Sequence, residues 1–349
     1  MNDIVGDNAM SAAELPFVEQ DRVLSSQLPE PACQHQVLKV TRFSTTRSIT
    51  DDQQECLQDL EMPNLRVLMM RNSAVSELPI TVLVTQLMAL DLTSSGVLKL
   101  PPQISVLKSA RLLRLDYCDL LESLPNEVGD MEQLSVLSMR GCQSLYSIPE
   151  SLWQLSRLTK LLAPLCGLAH FLPLEGRYLQ KLKVLDLSRC FGLKRLHPSF
   201  AELTSLTALN LGGCWQLESL PDVIGQLARL EVLILHGCCS LSEIPASVGD
   251  LHKLTELDVQ GCSKLSGLPG TIAQGCPRLR MLRFQDNAAM EFPPFVDGLW
   301  KVEVLGVTGL IPQAFEQQVK ENGITVEFSA TFEYKANTDQ VGCHVNLLD

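Results

Sequence analysis

The sequence predicts an α/β solenoid, a horseshoe of about eleven coils of 22–25 residues with a parallel β-sheet on its concave side. Three observations carry this. The apolar pattern recurs with a period of 24 residues, each repeat joins a strand-like LxxLxL to a longer-period LP…IGxL, and a cysteine holds the ninth position of seven repeats in a row.

The frame is plainest in "LSVLSMRGCQSLYSIPESLWQLSR" from Leu134, "LTALNLGGCWQLESLPDVIGQLAR" from Leu206 and "LEVLILHGCCSLSEIPASVGDLHK" from Leu230. Coils begin at Leu65, Leu87, Ala110, Leu134, Leu158, Leu182, Leu206, Leu230, Leu254, Leu279 and Val302. LxxLxL reads as a short strand with inward leucines. The LP step turns the chain, and IGxL returns it as a short helical or irregular segment whose apolar residues face the same core. A strand plus a helix or 3₁₀ turn per repeat is the leucine-rich-repeat signature. One coil cannot bury its apolar side alone, whereas a stack shares a continuous core.

The solenoid occupies residues 59–310. Before it lies an acidic segment, 1–58, with a capping strand expected near 35–44. After it, 311–349 forms a C-terminal cap and tail, in which "PQAFEQQVKENGITVEF" reads as a helix, an Asn-Gly turn and a strand. The first thirty and last fifteen residues are expected to be poorly ordered.

The ladder cysteines are Cys118, Cys142, Cys166, Cys190, Cys214, Cys238 and Cys262. Stacked in register, their Cβ atoms would lie ~4.8 Å apart with parallel side chains, which suits neither a disulfide nor a tetrahedral zinc site. A nucleophile needs a base within reach, yet the residue two before the cysteine varies from Arg140 to Gly212 to His236. Other coils carry Ser73, Ser95 and Asn287 at the same position. The shared property is a compact side chain able to hydrogen-bond the backbone, so the ladder is read as structural.

Composition narrows the function further. No secretory signal, transmembrane-length apolar run or lipidation motif is present, so a soluble cytoplasmic protein is expected. Net charge is −12, with nine acids and four bases in 1–58 and six and two in 311–349. Acidic ends and a near-neutral middle argue against a nucleic-acid or membrane-surface binder. There is no GxxxxGK[ST], HExxH, GxSxG or GxGxxG, and the six histidines are scattered, so neither an enzyme nor a cofactor is expected. Trp153 and Trp300 are read as core. Trp215 opens the outer loop of its coil, and none of the three joins an aromatic cluster suited to base stacking.

Binding therefore falls to the concave face, where the residues between the leucines point. Over the first six coils these include Arg66, Arg71, Arg111, Arg114, Arg140, Lys160, Lys183 and Arg189, against Asp91, Asp116 and Asp186. Coils seven to nine offer Glu231, Glu256 and Asp258 and no base. A wall that is basic first and acidic later is expected, with a protein ligand, anionic near the N-terminal half, held around Arg111, Arg114, Asp116, Tyr117, Arg140, Lys160 and Arg189.

The coil "LNLGGCWQLESLPDVIGQL" and its siblings, with cysteine at position nine, the "GC" pair and LP followed by IG, resemble the repeats of plant disease-resistance proteins, the intracellular nucleotide-binding leucine-rich-repeat receptors. The resemblance spans roughly 62–310. It implies a domain that recognises pathogen-derived or host proteins and restrains an adjacent ATPase switch without chemistry of its own. The ATPase module has no counterpart in these residues, so the resemblance carries over no ATP or ADP site. Ras-group intracellular scaffolds use similar LP-containing coils, and a general signalling scaffold is the competing reading.

Overall fold

The computed structural model describes residues 63–78, 84–168 and 179–287, together with the backbone of six short strands in the flanks. The chain divides into two compact units. The first comprises Met1–Leu168 and Arg177–Asp186, the second Ala169–Gly176 and Leu187–Asp349.

In the first unit eight parallel strands follow one another in chain order: Val23–Ser25, Arg42–Thr45, Val67–Met70, Ala89–Asp91, Leu112–Arg114, Val136–Ser138, Lys160–Leu162 and Val184–Asp186. In the second unit Ala208–Asn210, Val232–Ile234, Glu256–Asp258, Met281–Arg283, Val304–Val307 and Thr325–Phe328 do the same. The single strand expected near 35–44 is two, since Gln36–Val37 pairs with Leu60–Glu61 in a separate small sheet while Arg42–Thr45 joins the main one. Val23–Ser25 also forms a strand, in a stretch the sequence reading left without structure. The helix expected after Pro312 lies outside the described residues.

Register explains the leucines. The middle leucine of each strand pairs with that of the next, as in Leu68, Leu90, Leu113, Leu137 and Leu161. With the leucines at positions one and six they lie at or near zero exposure. Side chains alternate across a strand, so positions three and five form the open sheet face.

The return segment is a five-residue 3₁₀ turn in six described coils, for example Asn126–Asp130, Asp222–Gln226 and Ala246–Asp250, and a short α-helical turn at Thr271–Gly275. The LP proline caps it. Pro125, Pro221 and Pro245 sit at φ of −71°, −69° and −64°, close to the value the ring imposes. Their carbonyls accept from Val128, Ile224 and Val248, the one fully buried aliphatic of each turn. Where Pro falls one residue later, His197 caps instead, its Nδ1 accepting from the Ser199 N–H at 3.2 Å. The glycine of the IG pair has a separate cause. A Cβ on Gly129 or Gly225 would lie 2.4 Å from the carbonyl oxygen of Ser151 or Ser247 in the next turn.

The strand exit is equally regular. Position eight has positive φ in every described coil: Asn72, Ser94, Tyr117, Gly141, Leu165, Arg189, Gly213, Gly237, Gly261 and Asp286. At position nine, Cys118, Cys142 and Cys166 donate their thiols to the carbonyls of Leu92, Leu115 and Met139 in the preceding coil at 3.1, 3.0 and 2.9 Å. Cys214, Cys238 and Cys262 reach Leu187, Leu211 and Leu235, each at 3.2 Å. The same position-six carbonyl accepts the backbone N–H of position nine in its own coil, as Leu115 does from Cys118. The thiol is thus the second donor to a buried carbonyl with two lone pairs. Ser73 and Asn287 serve their own coils instead, donating to Met70 and Phe284 at 3.0 and 2.9 Å.

Candidate functional site

On the open face of the first unit, Val67, Ala89, Leu112 and Val136 at position three and Met69 at position five form a buried apolar strip. Beside it runs a chain of charges. Register places Asp91 opposite Arg114 and Arg114 opposite Ser138. One oxygen of Asp91 accepts from Arg71 at 2.9 and 2.6 Å and from Arg114 at 3.4 Å, while the other takes the Thr93 N–H and hydroxyl at 3.1 and 2.6 Å. Asp116 continues the chain, accepting from the Ser138 hydroxyl at 2.5 Å and the Arg140 backbone N–H at 2.9 Å, with the Arg114 guanidinium 3.7 Å from its second oxygen. Both carboxylates are nearly inaccessible. Each buried acid is thereby compensated by fixed donors.

The structure distributes the seven sequence-predicted residues unevenly. Arg114 and Lys160 stand on strands; Arg111 just precedes one and is exposed. Asp116 and Arg140 lie two residues beyond their strands, Asp116 buried and Arg140 half-buried. Tyr117 turns at the strand exit with φ +58°, 53% exposed, its N–H donating to the Arg140 carbonyl at 2.5 Å. Its ring rests on the next coil, where a Cβ on Gly141 would meet it at 2.6 Å. Arg189 belongs to the second unit and is not on a strand. Of the expected cations, Arg71 pairs with Asp91 while its side chain stays 38% exposed, and Arg114, 14% exposed, lies between Asp91 and Asp116.

In the second unit Glu256 and Asp258 occupy positions three and five of one strand and Glu231 is exposed. Arg283, from the following coil, pairs with Glu256 at 3.2 Å, each side chain about one-tenth exposed. Burial nevertheless pushes the Glu256 carboxyl above its ordinary range, with the guanidinium opposing that shift. Asp258 accepts the Gln260 N–H at 3.0 Å.

Trp153 is buried, and Trp300 lies outside the described residues. Trp215 is not isolated as its sequence position implied. It packs against Phe191, with ring centroids 4.3 Å apart and planes at 32°. Both occupy position ten of successive coils, so aligning repeats by column rather than tryptophans one at a time would have paired them.

Neither a protein-family model nor a curated protein matches the chain. Solved structures do. The leucine-rich repeat domain of the type III effector XopL is similar with a TM-score of 0.51 at 27% identity, over 61% of this chain and 73% of that one. A Leptospira interrogans leucine-rich-repeat protein gives 0.41 at 19%, over 83% and 90%. The functional domain of InlJ from Listeria monocytogenes, which includes a cysteine ladder, gives 0.49 at 16%, over 78% and 62%. Together with one parallel strand per coil and a left-handed residue at every described strand exit, the XopL likeness establishes the fold: the repeats of this chain form a leucine-rich-repeat solenoid.

Proposed function

We propose that this chain is a non-catalytic protein-recognition module, the ligand-sensing leucine-rich-repeat part of a plant-type disease-resistance protein acting in the cytoplasm. The observation that carries the recognition reading is the open face of the first unit. There an apolar strip lies beside a charge chain anchored on Asp91 and Asp116, with Arg111 and Tyr117 exposed along it. A prearranged surface that carries fixed arginines and an exposed tyrosine over a buried apolar strip has the makeup of interface hot spots. Its cations suit an anionic protein partner. The defence role is supported by the repeated cysteine, LP and IG columns.

The test is capture of partners from infected plant-cell extract on the full chain and on an Arg111→Glu/Arg140→Glu variant of unchanged thermal midpoint. A protein held by the wild type and lost from the variant is the expected result. Identical retention by both would remove the sheet face from the account. An in-frame P-loop module encoded upstream of Met1 would favour the receptor over a general scaffold.

A further inference from the structure

Six large apolar side chains are exposed among the described residues: Leu98, Tyr117, Leu120 and Tyr146 in the first unit, Phe191 and Trp215 in the second. All six fall between positions eight and thirteen of their coils, the stretch that carries the chain away from the strand. Apolar exposure is thus concentrated on the strand-exit edge of each unit.

In the second unit three further observations converge on that edge. Phe191 and Trp215 stack on each other, each more than one-third exposed. Arg189, two residues before Phe191, has φ +57°, whereas the next three coils place Gly213, Gly237 and Gly261 at that position. Glycine adopts this conformation without steric cost, and Arg189 is one of six non-glycine residues that hold it at position eight. The aliphatic part of Arg189 lies over Gly213, where a Cβ would be 2.9 Å from its Cγ. Its guanidinium has no carboxylate partner among the described residues, while nearby Arg195 is held by Glu218 at 2.8 Å. Lys194, exposed, adds a second cation.

An arginine with no carboxylate partner among the described residues, two residues before one ring of an exposed aromatic pair and lying over a glycine two residues before the other, points to use rather than packing. We propose that Arg189, Phe191 and Trp215, with Lys194, form a docking site for a protein segment carrying an apolar anchor next to a carboxylate. The paired rings give the anchor an apolar platform, and the guanidinium, carried on an aliphatic stem that lies over Gly213, meets the carboxylate. The proposal rests on the protein-recognition reading for the class of ligand, but it uses residues of the other unit.

The test uses the full chain and two synthetic peptides with the same central Leu-Phe step, one flanked by Asp and Glu, the other by Lys. Binding is followed by calorimetry and tryptophan emission. The acidic peptide is expected to bind saturably, at least about tenfold more tightly than the lysine peptide. Its affinity is expected to fall about tenfold or more in both Arg189→Gly and Trp215→Ala. Arg189→Gly puts glycine at a positive φ, so its thermal midpoint is expected to equal or exceed that of the wild type, which separates lost binding from lost fold. Equal affinity for the two peptides, binding of neither, or an acidic-peptide affinity unchanged in Arg189→Gly would each overturn the proposal. Such a failure leaves the sheet-face reading standing, because that reading is scored on Arg111 and Arg140.

Discussion

Raising the pH from about 8 to about 11 is expected to unfold this protein through its cysteines. Burial pushes the Cys118 and Cys276 thiols up to about 11 and the Cys262 thiol up to about 12, from an ordinary value of 9.0. The sign follows from linkage. Below pH 9.0 these thiols are protonated in both folded and unfolded chains and their contribution is intact. Above it the unfolded chain sheds protons that the folded chain retains, so stability falls until the folded values are passed. At about pH 11 each of the three groups withdraws about 2–3 kcal/mol, together about 7 kcal/mol, comparable with the whole stability of an ordinary domain. Chemical-denaturation curves at stepped pH measure the slope. Cys262→Ser, which keeps a donor but removes the titration, is expected to flatten that slope by one thiol's share; an unchanged slope would mean the loss comes from elsewhere.

A series of glycine substitutions is expected to separate steric from conformational demands. Gly225→Ala would set a methyl 2.4 Å from the Ser247 carbonyl oxygen, and backbone on both sides cannot yield cheaply. A loss of about 3 kcal/mol is expected, at the upper end for an inserted methyl in a packed region. Gly237→Ala meets only backbone of Gly213 at 3.7 Å but sits at φ +67°, so about 1 kcal/mol is expected from the left-handed conformation alone. At Gly267 nothing lies within 4 Å of the added atom, and its replacement by alanine is expected to be neutral within about 0.5 kcal/mol. Urea midpoints measured on the three variants give the order. Equal losses at all three positions would mean that the coils do not press together as described.

Much of this was legible in the sequence because each coil repeats the same physical demand. Leu113, Leu137 and Leu161 read as strand centres since one column recurs, and they pair in register. Cys142 read as a backbone donor because Ser73 and Asn287 replace it in other coils, and the thiol does reach the Leu115 carbonyl. Less legible were demands that one coil makes on the next. The glycine of the IG pair showed in the consensus, but its cause is the carbonyl of the following turn. The left-handed position eight was hidden wherever Tyr117, Leu165 or Arg189 stands in place of glycine. Asp91 and Asp116 were legible as acids of the wall, but that Asp91 pairs with Arg71 and Arg114 from the two neighbouring coils shows only in the fold.

The claim on which the rest depends is that position nine is a buried rung and that recognition is left to the faces around it. Timed maleimide labelling of the native protein near neutral pH, read by peptide mass spectrometry, addresses it directly. Cys239, half-buried at position ten, is expected to label while the protein is folded. Cys118, Cys142, Cys166, Cys190, Cys214, Cys238 and Cys262, all buried, are expected to stay unmodified until denaturant unfolds the chain, and then to react together. Labelling of these seven as fast as Cys239 in the folded protein would contradict the coil register, and with it the assignment of every face described above.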